Sequence, residues 1–375
     1  MSLFFFSLFL HAYLGVRLIP ALAAWPVAQL LLGLSLLASM VLMPMGLTAR
    51  RFKSPLLADR VTWTGMLFMG LFSSVFVLSL LREAALLAGW LWLLVRPGTF
   101  SWPGLNAGSA AAVALLGLLM TFLGFFNARR TAAVVRVEVP IVGLPTALHG
   151  FSIAQISDIH VGPTIKRGYL QAIVNVVNEL QVDMVAVTGD LVDGTVADLA
   201  PHVAPLAGLS SVHGTYFVTG NHEYYSGAHA WIQELNRLGV RVLMNEHVVL
   251  PHGLVLAGVA DWSAGHFDSS HRSDPHAALA GSPANAAFRL LLAHQPRSAV
   301  EAEKAGFDLQ LSGHTHGGQF WPWGLFVRFQ QPFTAGLHRL ENLWIYTSRG
   351  TGYWGPPKRF GAPSEITCLR LVTVS

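Results

Sequence analysis

The sequence predicts a bipartite protein, with a bundle of about four transmembrane helices over residues 1–130 and an α/β domain over residues 131–375. Three observations predict this. Only 12% of the 375 residues are charged and 53% are hydrophobic, about half the charge of a soluble domain, which averages roughly 25%. The charge is also segregated, since residues 1–127 hold nine charged side chains and the other 35 follow. Beyond about residue 132, long apolar runs give way to short β-rich runs alternating with helical stretches. Disorder and fibrous repeats are excluded.

A spanning helix needs roughly 20 mostly apolar residues. Ala28 to Leu47 and Val61 to Leu81 contain no charge, and Ala107 to Phe126 is rich in small residues that suit close helix packing. The first window, Leu3 to about Ala23, is interrupted by Arg17 and Pro20. Ala21-Leu22-Ala23 resembles a signal-peptide cleavage site, but no basic residue precedes the apolar stretch, so an uncleaved first helix is expected. Ala84 to Val95 is too short to cross alone; crossing together with its neighbours would make five spans and move everything after residue 130 to the other side. No acidic residue lies inside the expected spans, which favours an anchor over a transport path.

Arg50, Arg51, Lys53 and Arg60 lie between the second and third spans, and Arg129, Arg130 and Arg136 follow the last. Cationic short loops stay inside, so the expected arrangement is a multi-pass protein of the cell membrane with a cytoplasmic C-terminal domain. Because the positive charge sits beside apolar runs, nucleic acid is not an expected partner. The single cysteine, Cys368, excludes an intramolecular disulfide and any cysteine-based zinc cluster.

In the second part, strands are expected at Phe151–Ile156, Asp183–Val187, Thr215–Val218, Leu254–Val259, Leu290–Ala293, Phe307–Leu311, Leu343–Thr347 and Ile366–Val372. Helices are expected at Tyr169–Leu180, at Ala228–Leu238 and near Ser298–Ala305. Continuous runs such as MVAV and LLLA predict strands buried on both faces, and the alternation predicts much parallel sheet.

Five of these strands run into a carboxylate, an asparagine or a histidine: Asp158-Ile159-His160, Gly189-Asp190, Gly220-Asn221-His222-Glu223, His294, and Gly313-His314-Thr315-His316. In a parallel sheet the carboxyl ends of strands open into one crevice. Oxygen and imidazole donors without thiolate suit manganese, iron or zinc. Asp158, His160, Asp190, Asn221, His294, His314 and His316 are too many donors for one tetrahedral ion and suit two divalent ions that share a carboxylate. Residues i and i+2 of an extended segment point the same way, so Asp158 and His160 are expected to address one ion, whereas His314 and His316 reach different ones.

The ordered set D-x-H, G-D, G-N-H-[DE], H and G-H-x-H resembles the calcineurin-like metallophosphoesterase superfamily. With its apolar N-terminal part and the runs SDIHVGP, VTGNHEYY, LLAHQP and SGHTHGGQ, the chain is similar to the branch with transmembrane helices. That branch is akin to bacterial phosphodiesterases proposed to act on nucleotide-linked diacylglucosamine. The resemblance implies a four-layer α/β/β/α domain and a two-metal hydrolase of phosphoesters. It assigns Asp158, His160, Asp190 and His316 to one ion, and Asp190, Asn221, His294 and His314 to the other. It gives His222 the role of protonating the leaving oxygen or stabilising transition-state charge.

Protein phosphatases of the superfamily read G-D-x-V-D-R-G, with an arginine that grips phosphate. Here the segment is Gly189-Asp190-Leu191-Val192-Asp193-Gly194. Without that clamp a phosphodiester or lipid-linked substrate, such as UDP-diacylglucosamine, is favoured over a phosphomonoester. A non-catalytic membrane sensor of a phosphorylated ligand is the other alternative. Arg349 and Lys358 are candidate replacement cations, though a paired or solvated charge is the simpler reading. Phe320, Trp321, Trp323, Phe326 and Phe329 fit either core filling or an interfacial patch beside Arg328 that approaches membrane lipid.

Overall fold

The computed structural model describes residues 3–374 and divides into two compact units, residues 1–126 with 355–360, and residues 127–354 with 361–375. In the first, the apolar windows form four helices, α1 (Leu3–Leu18), α2 (Pro26–Leu47), α3 (Pro55–Val95) and α4 (Trp102–Arg129), all long and apolar enough to cross a membrane once the 3-10 turn after α1 is counted. Small residues set the packing: a Cβ on Gly65 of α3 would lie 2.4 Å from Leu42 O and 2.7 Å from Gly46 Cα of α2.

Ala84 to Val95 is no separate element. It continues α3, which at 41 residues is about 60 Å long. Glu83, just beyond the expected span Val61 to Leu81, therefore lies inside the same membrane-length helix, and its neighbours explain why. Arg17 and Arg82 both pair with Glu83, and the buried Arg82 guanidinium also donates to Ser109 Oγ at 3.0 Å and Asn106 O at 3.2 Å. Lys358, from the segment Gly355–Phe360, is also buried here and donates to Gly70 O at 2.7 Å and to Ser74 Oγ. A Cβ on Gly124 would lie 2.6 Å from its side chain.

Among the described residues the second unit contains twelve strands: β1 (Ala133–Val142), β2 (Ser152–Ile156), β3 (Met184–Val187), β4 (Thr215–Phe217), β5 (Val240–Val242), β6 (Glu246–Leu250), β7 (Leu254–Gly258), β8 (Phe288–Leu292), β9 (Leu309–Ser312), β10 (Gly336–Leu340), β11 (Leu343–Thr347) and β12 (Glu365–Val374). They form two six-stranded sheets, ordered β1-β12-β2-β3-β4-β5 and β10-β11-β9-β8-β7-β6. The centres β2-β3-β4-β5 and β7-β8-β9-β11 are parallel, with antiparallel pairs towards the margins. Expected strands appear within a residue or two of their bounds; β1, β5, β6 and β10 were not foreseen.

Side-chain alternation makes the four layers. On β3, Met184 and Ala186 point between the sheets to meet Leu254, Leu290 and Leu309, while Val185 and Val187 point to the helices. The outer helices of the first sheet are α5 (Arg167–Glu179), α6 (Val196–Val203), α7 (Asn221–Ser226) and α8 (Ala228–Arg237). Helix α5 buries Leu170, Ile173, Val174 and Val177, one stripe at helical spacing. Helices α9 (Pro275–Leu279) and α10 (Ala299–Ala305) cover the second sheet, where Ala299 and Ala302 pack on Leu291 and Ala293; α11 (Gly324–Val327) is a short exposed turn. Each fully buried leucine or isoleucine contributes roughly 1.5–3 kcal/mol, so both faces of both sheets are held mainly by apolar burial.

Candidate metal centre

The carboxyl ends of β2, β3 and β4 in one sheet and of β8 and β9 in the other release the five motifs into one place. Ligand atoms of Asp158, His160 and His316 lie within 4.8 Å of one another, as do those of Asp190, His294 and His314. Within the first set His316 Nε2 is 3.4 Å from Asp158 Oδ1 and 3.0 Å from His160 Nε2. Within the second His294 Nε2 is 3.1 Å from Asp190 Oδ2 and 3.2 Å from His314 Nδ1. Asp190 Oδ2 stands 4.0 Å from His160 Nε2, so Asp190 touches both sets. His314 and His316 fall in different sets.

Asp158 and His160 do not reach their set from an extended segment. Their φ angles are +54° and +57°, and Asp190, His314 and His316 have φ of +52°, +71° and +51°. The left-handed region costs a non-glycine residue roughly 1–2 kcal/mol, and five such positions among the donors indicate a backbone bent to aim side chains. Two glycines let the loops approach that closely. A Cβ on Gly220 would lie 2.2 Å from Asp190 Oδ1, and one on Gly313 would lie 2.0 Å from Ser157 Oγ and 2.2 Å from Asp158 Oδ2.

Asn221 opens α7, where its backbone neighbour His222 N donates to Asp190 Oδ1 at 2.9 Å. The Asn221 Oδ1 atom is buried without a hydrogen-bond partner among the described residues. A buried carbonyl oxygen left bare normally costs roughly 1–3 kcal/mol, so the orphan beside two sets of buried carboxylate and imidazole fits an acceptor waiting for a cation. The donor set fits a metal pair in chemistry as well as in position.

Asp193 was named in the sequence only as part of a motif, yet its Oδ1 lies 2.6 Å from His222 Nδ1 and 3.1 Å from His160 Nδ1. Burial opposes charge on His222, but the Asp193 bond and the Asp190, Asp193 and Glu223 charges override it and raise the imidazole to about 9. Burial likewise opposes ionisation of Asp193, and the two histidines hold it well below the usual carboxylate range. His314 is pushed down to about 3, first by burial and then by the His294 charge. The rings of Tyr225 and Trp354 flank His222 at 5.2 and 5.7 Å.

Glu223 was also unassigned. It is fully buried and accepts from Gly220 N at 2.6 Å, Leu191 N at 2.8 Å, Asp190 N at 3.0 Å and Val192 N at 3.3 Å, fastening the Gly-Asp loop to the Asn-His turn. Sequence proximity to Asn221 was the available signal. The two candidate replacement cations have other partners. Arg349 Nη1 pairs with Glu365 Oε2 at 2.7 Å, and Lys358 is among the helices of the other unit. Of the late aromatics only Phe320 is buried, whereas Trp321, Trp323, Phe326 and Phe329 are exposed, so core filling does not account for them.

Comparison with known proteins gives this geometry a family. The calcineurin-like phosphoesterase family matches residues 151–318. The chain is 40% identical to a transmembrane protein with metallophosphoesterase domain from Bos taurus over 70% of this chain and 62% of that protein. It is 38% identical to the protein of the same description from Danio rerio, over 68% of this chain and 61% of that one. It thus spans about three fifths of those relatives. An uncharacterized metallophosphoesterase from Helicobacter pylori is 38% identical over 68% of this chain and 70% of its own length. The chain therefore belongs to the calcineurin-like metallophosphoesterases.

Proposed function

We propose that this protein is a membrane-anchored, metal-dependent phosphoesterase that hydrolyses phosphodiester bonds, with a lipid-linked phosphate as the substrate class. The observation that carries the reading is the pairing of two buried carboxylate-imidazole sets around Asp190, with the partnerless Asn221 Oδ1 beside them. Asp158, His160, Asp190 and His316 would hold one divalent cation, and Asp190, Asn221, His294 and His314 the other. The chemistry such a pair supplies when bound, be it manganese, iron or zinc, is activation of water and neutralisation of phosphate oxygens.

The chain's own residues supply the rest. His222 has Nδ1 committed to Asp193, which leaves Nε2 to give a proton to the departing oxygen. Asp193 acts through His222 and His160 as a positioning residue. Tyr225 and Trp354 limit the directions from which a substrate reaches His222. Gly194 stands where protein phosphatases carry their phosphate-gripping arginine, which favours a phosphodiester over a phosphomonoester. Exposed Trp321, Trp323, Phe326 and Phe329 favour a substrate drawn from a lipid surface, of which UDP-diacylglucosamine is one example. The cationic loops around Arg50–Arg60 and Arg129–Arg136 favour a multi-pass arrangement with this unit on the cytoplasmic side. A non-catalytic sensor would have no use for the Asp193–His222 pair.

The purified full-length chain, supplied with manganese, should cleave a chromogenic phosphodiester. Asp190→Asn and His222→Ala should remove that activity while leaving the far-ultraviolet spectrum unchanged. Inertness of the wild-type chain with manganese, iron and zinc alike would overturn the proposal.

A further inference from the structure

We infer that His229, Asp268 and His271 form a third, peripheral metal site, apart from the seven donors above, that takes one zinc-class divalent cation. His229 lies in the first turn of α8, and Asp268 and His271 bracket a 3-10 turn between β7 and α9. Their ligand atoms lie within 4.8 Å of one another. His229 Nε2 stands 2.9 Å from Asp268 Oδ2, and the two imidazole ring centres are 4.8 Å apart.

The groups behind these three decide between a metal site and an ordinary surface pair. An exposed His–Asp contact is worth roughly 0–1 kcal/mol and requires nothing further. Here each of the other two donors is held from behind. Asp268 Oδ1 accepts from Ser270 N at 2.9 Å and from Ser270 Oγ at 2.6 Å, which leaves Oδ2 on the side of His229. His271 Nδ1 meets Tyr224 Oη at 3.0 Å, which leaves Nε2 as its ligand atom. Outer partners that fix ring and carboxylate orientation are characteristic of metal sites. Two imidazoles and one carboxylate match zinc, with a fourth position left to solvent. The His229 side chain is 70% exposed, so the site has an entry path.

The position gives the cation a consequence. Phe267, next to Asp268, packs its ring 5.6 Å from those of both Tyr224 and Tyr225, and the Tyr225 ring is 5.2 Å from His222. A cation joining α8 to the Asp268–His271 turn would fasten that turn over α7, the helix that carries His222. Its role is positional.

The test uses the full-length chain in detergent, dialysed to equilibrium against zinc and assayed for metal per chain by elemental analysis. Wild type should hold one equivalent more than His229→Ala and His271→Gln, and Tyr224→Phe should weaken that equivalent about 10- to 100-fold. In a chain carrying Asp158→Asn and His314→Ala, cobalt should still give visible absorption bands, and adding His271→Gln should abolish them. Exposure of His229 removes misfolding as an explanation for the first variant. Equal zinc content in wild type, His229→Ala and His271→Gln would overturn the inference, as would cobalt bands that survive His271→Gln.

Discussion

His222 Nδ1 lies 2.6 Å from Asp193 Oδ1, and the same carboxylate oxygen stands 3.1 Å from His160 Nδ1. One half-buried carboxylate thus orients both a donor of the proposed metal pair and the proposed acid. The arrangement ties the protonation of His222 to the integrity of the donor set, because losing Asp193 releases both rings.

Asp193→Asn should therefore move the pH profile. Asp193 supports the charged form of His222, whose imidazole sits at about 9 despite burial. Removing that charge lowers the value, so the protonated acid is lost at a lower pH as the pH rises. The alkaline limb of kcat/KM should shift downward, and kcat should drop by on the order of tenfold or more, within the range of general-acid catalysis. Profiles of wild type and variant on a chromogenic phosphodiester check this; an alkaline limb that stays in place would remove Asp193 from the proton chemistry.

Glu223→Ala should act on stability first. Its carboxylate serves four backbone N–H groups of two loops, and each buried donor left bare costs about 1–3 kcal/mol. Even at the low end the four together cost about 4 kcal/mol, which would lower Tm by roughly 8–16 °C in a unit of this size. Thermal melts in detergent, read beside metal content, separate this from a purely catalytic defect.

The parts of the site that the sequence made legible are those where chemistry fixes the residue type. D-x-H, G-N-H-E and G-H-T-H each follow a strand, and metal chemistry tolerates few substitutes there. The backbone bend at Asp158, His160 and His316 was not legible, since no sequence marker distinguishes a left-handed aspartate or histidine from an extended one. Asp193 and Glu223 were visible as letters, but their partners come from loops some 30 residues away. Among the strands, β1 was missed because Arg136, Glu138 and Pro140 interrupt its apolar residues; it is a sheet-edge strand that pairs with β12. The third helix was cut short at Arg82-Glu83, because a charge count cannot see that Arg17, Asn106 and Ser109 satisfy both.

Gly313→Ala should damage one half of the metal pair and spare the other. The added methyl would meet Ser157 Oγ and Asp158 Oδ2, at 2.0 and 2.2 Å on the present backbone. Asp158 would be displaced from His160 and His316, while Asp190, His294 and His314 keep their places. Metal analysis should find about one equivalent lost from the pair and a chain that still melts cooperatively. Retention of both equivalents would show that the loop yields without disturbing Asp158.

Metal removal should destabilise the second unit. Asp158 and Asp190 are buried carboxylates, Asn221 Oδ1 has no hydrogen-bond partner, and five donors sit at positive φ. Each of these is costly in the bare chain; a cation neutralises the carboxylates, takes up the bare oxygen and offsets the backbone strain. A ligand at 100 times its Kd stabilises a folded chain by about 2.7 kcal/mol, so two such sites approach twice that figure. Manganese added to chelator-treated protein should raise Tm by roughly 10 °C or more. Asn221→Ala tests the orphaned oxygen separately: it should reduce the manganese-dependent rise while leaving the melting point of the chelated chain unchanged or slightly higher, because the bare acceptor is gone. If the variant instead lowers the melting point of the chelated chain as much as that of the loaded one, Asn221 serves the fold and not the cation.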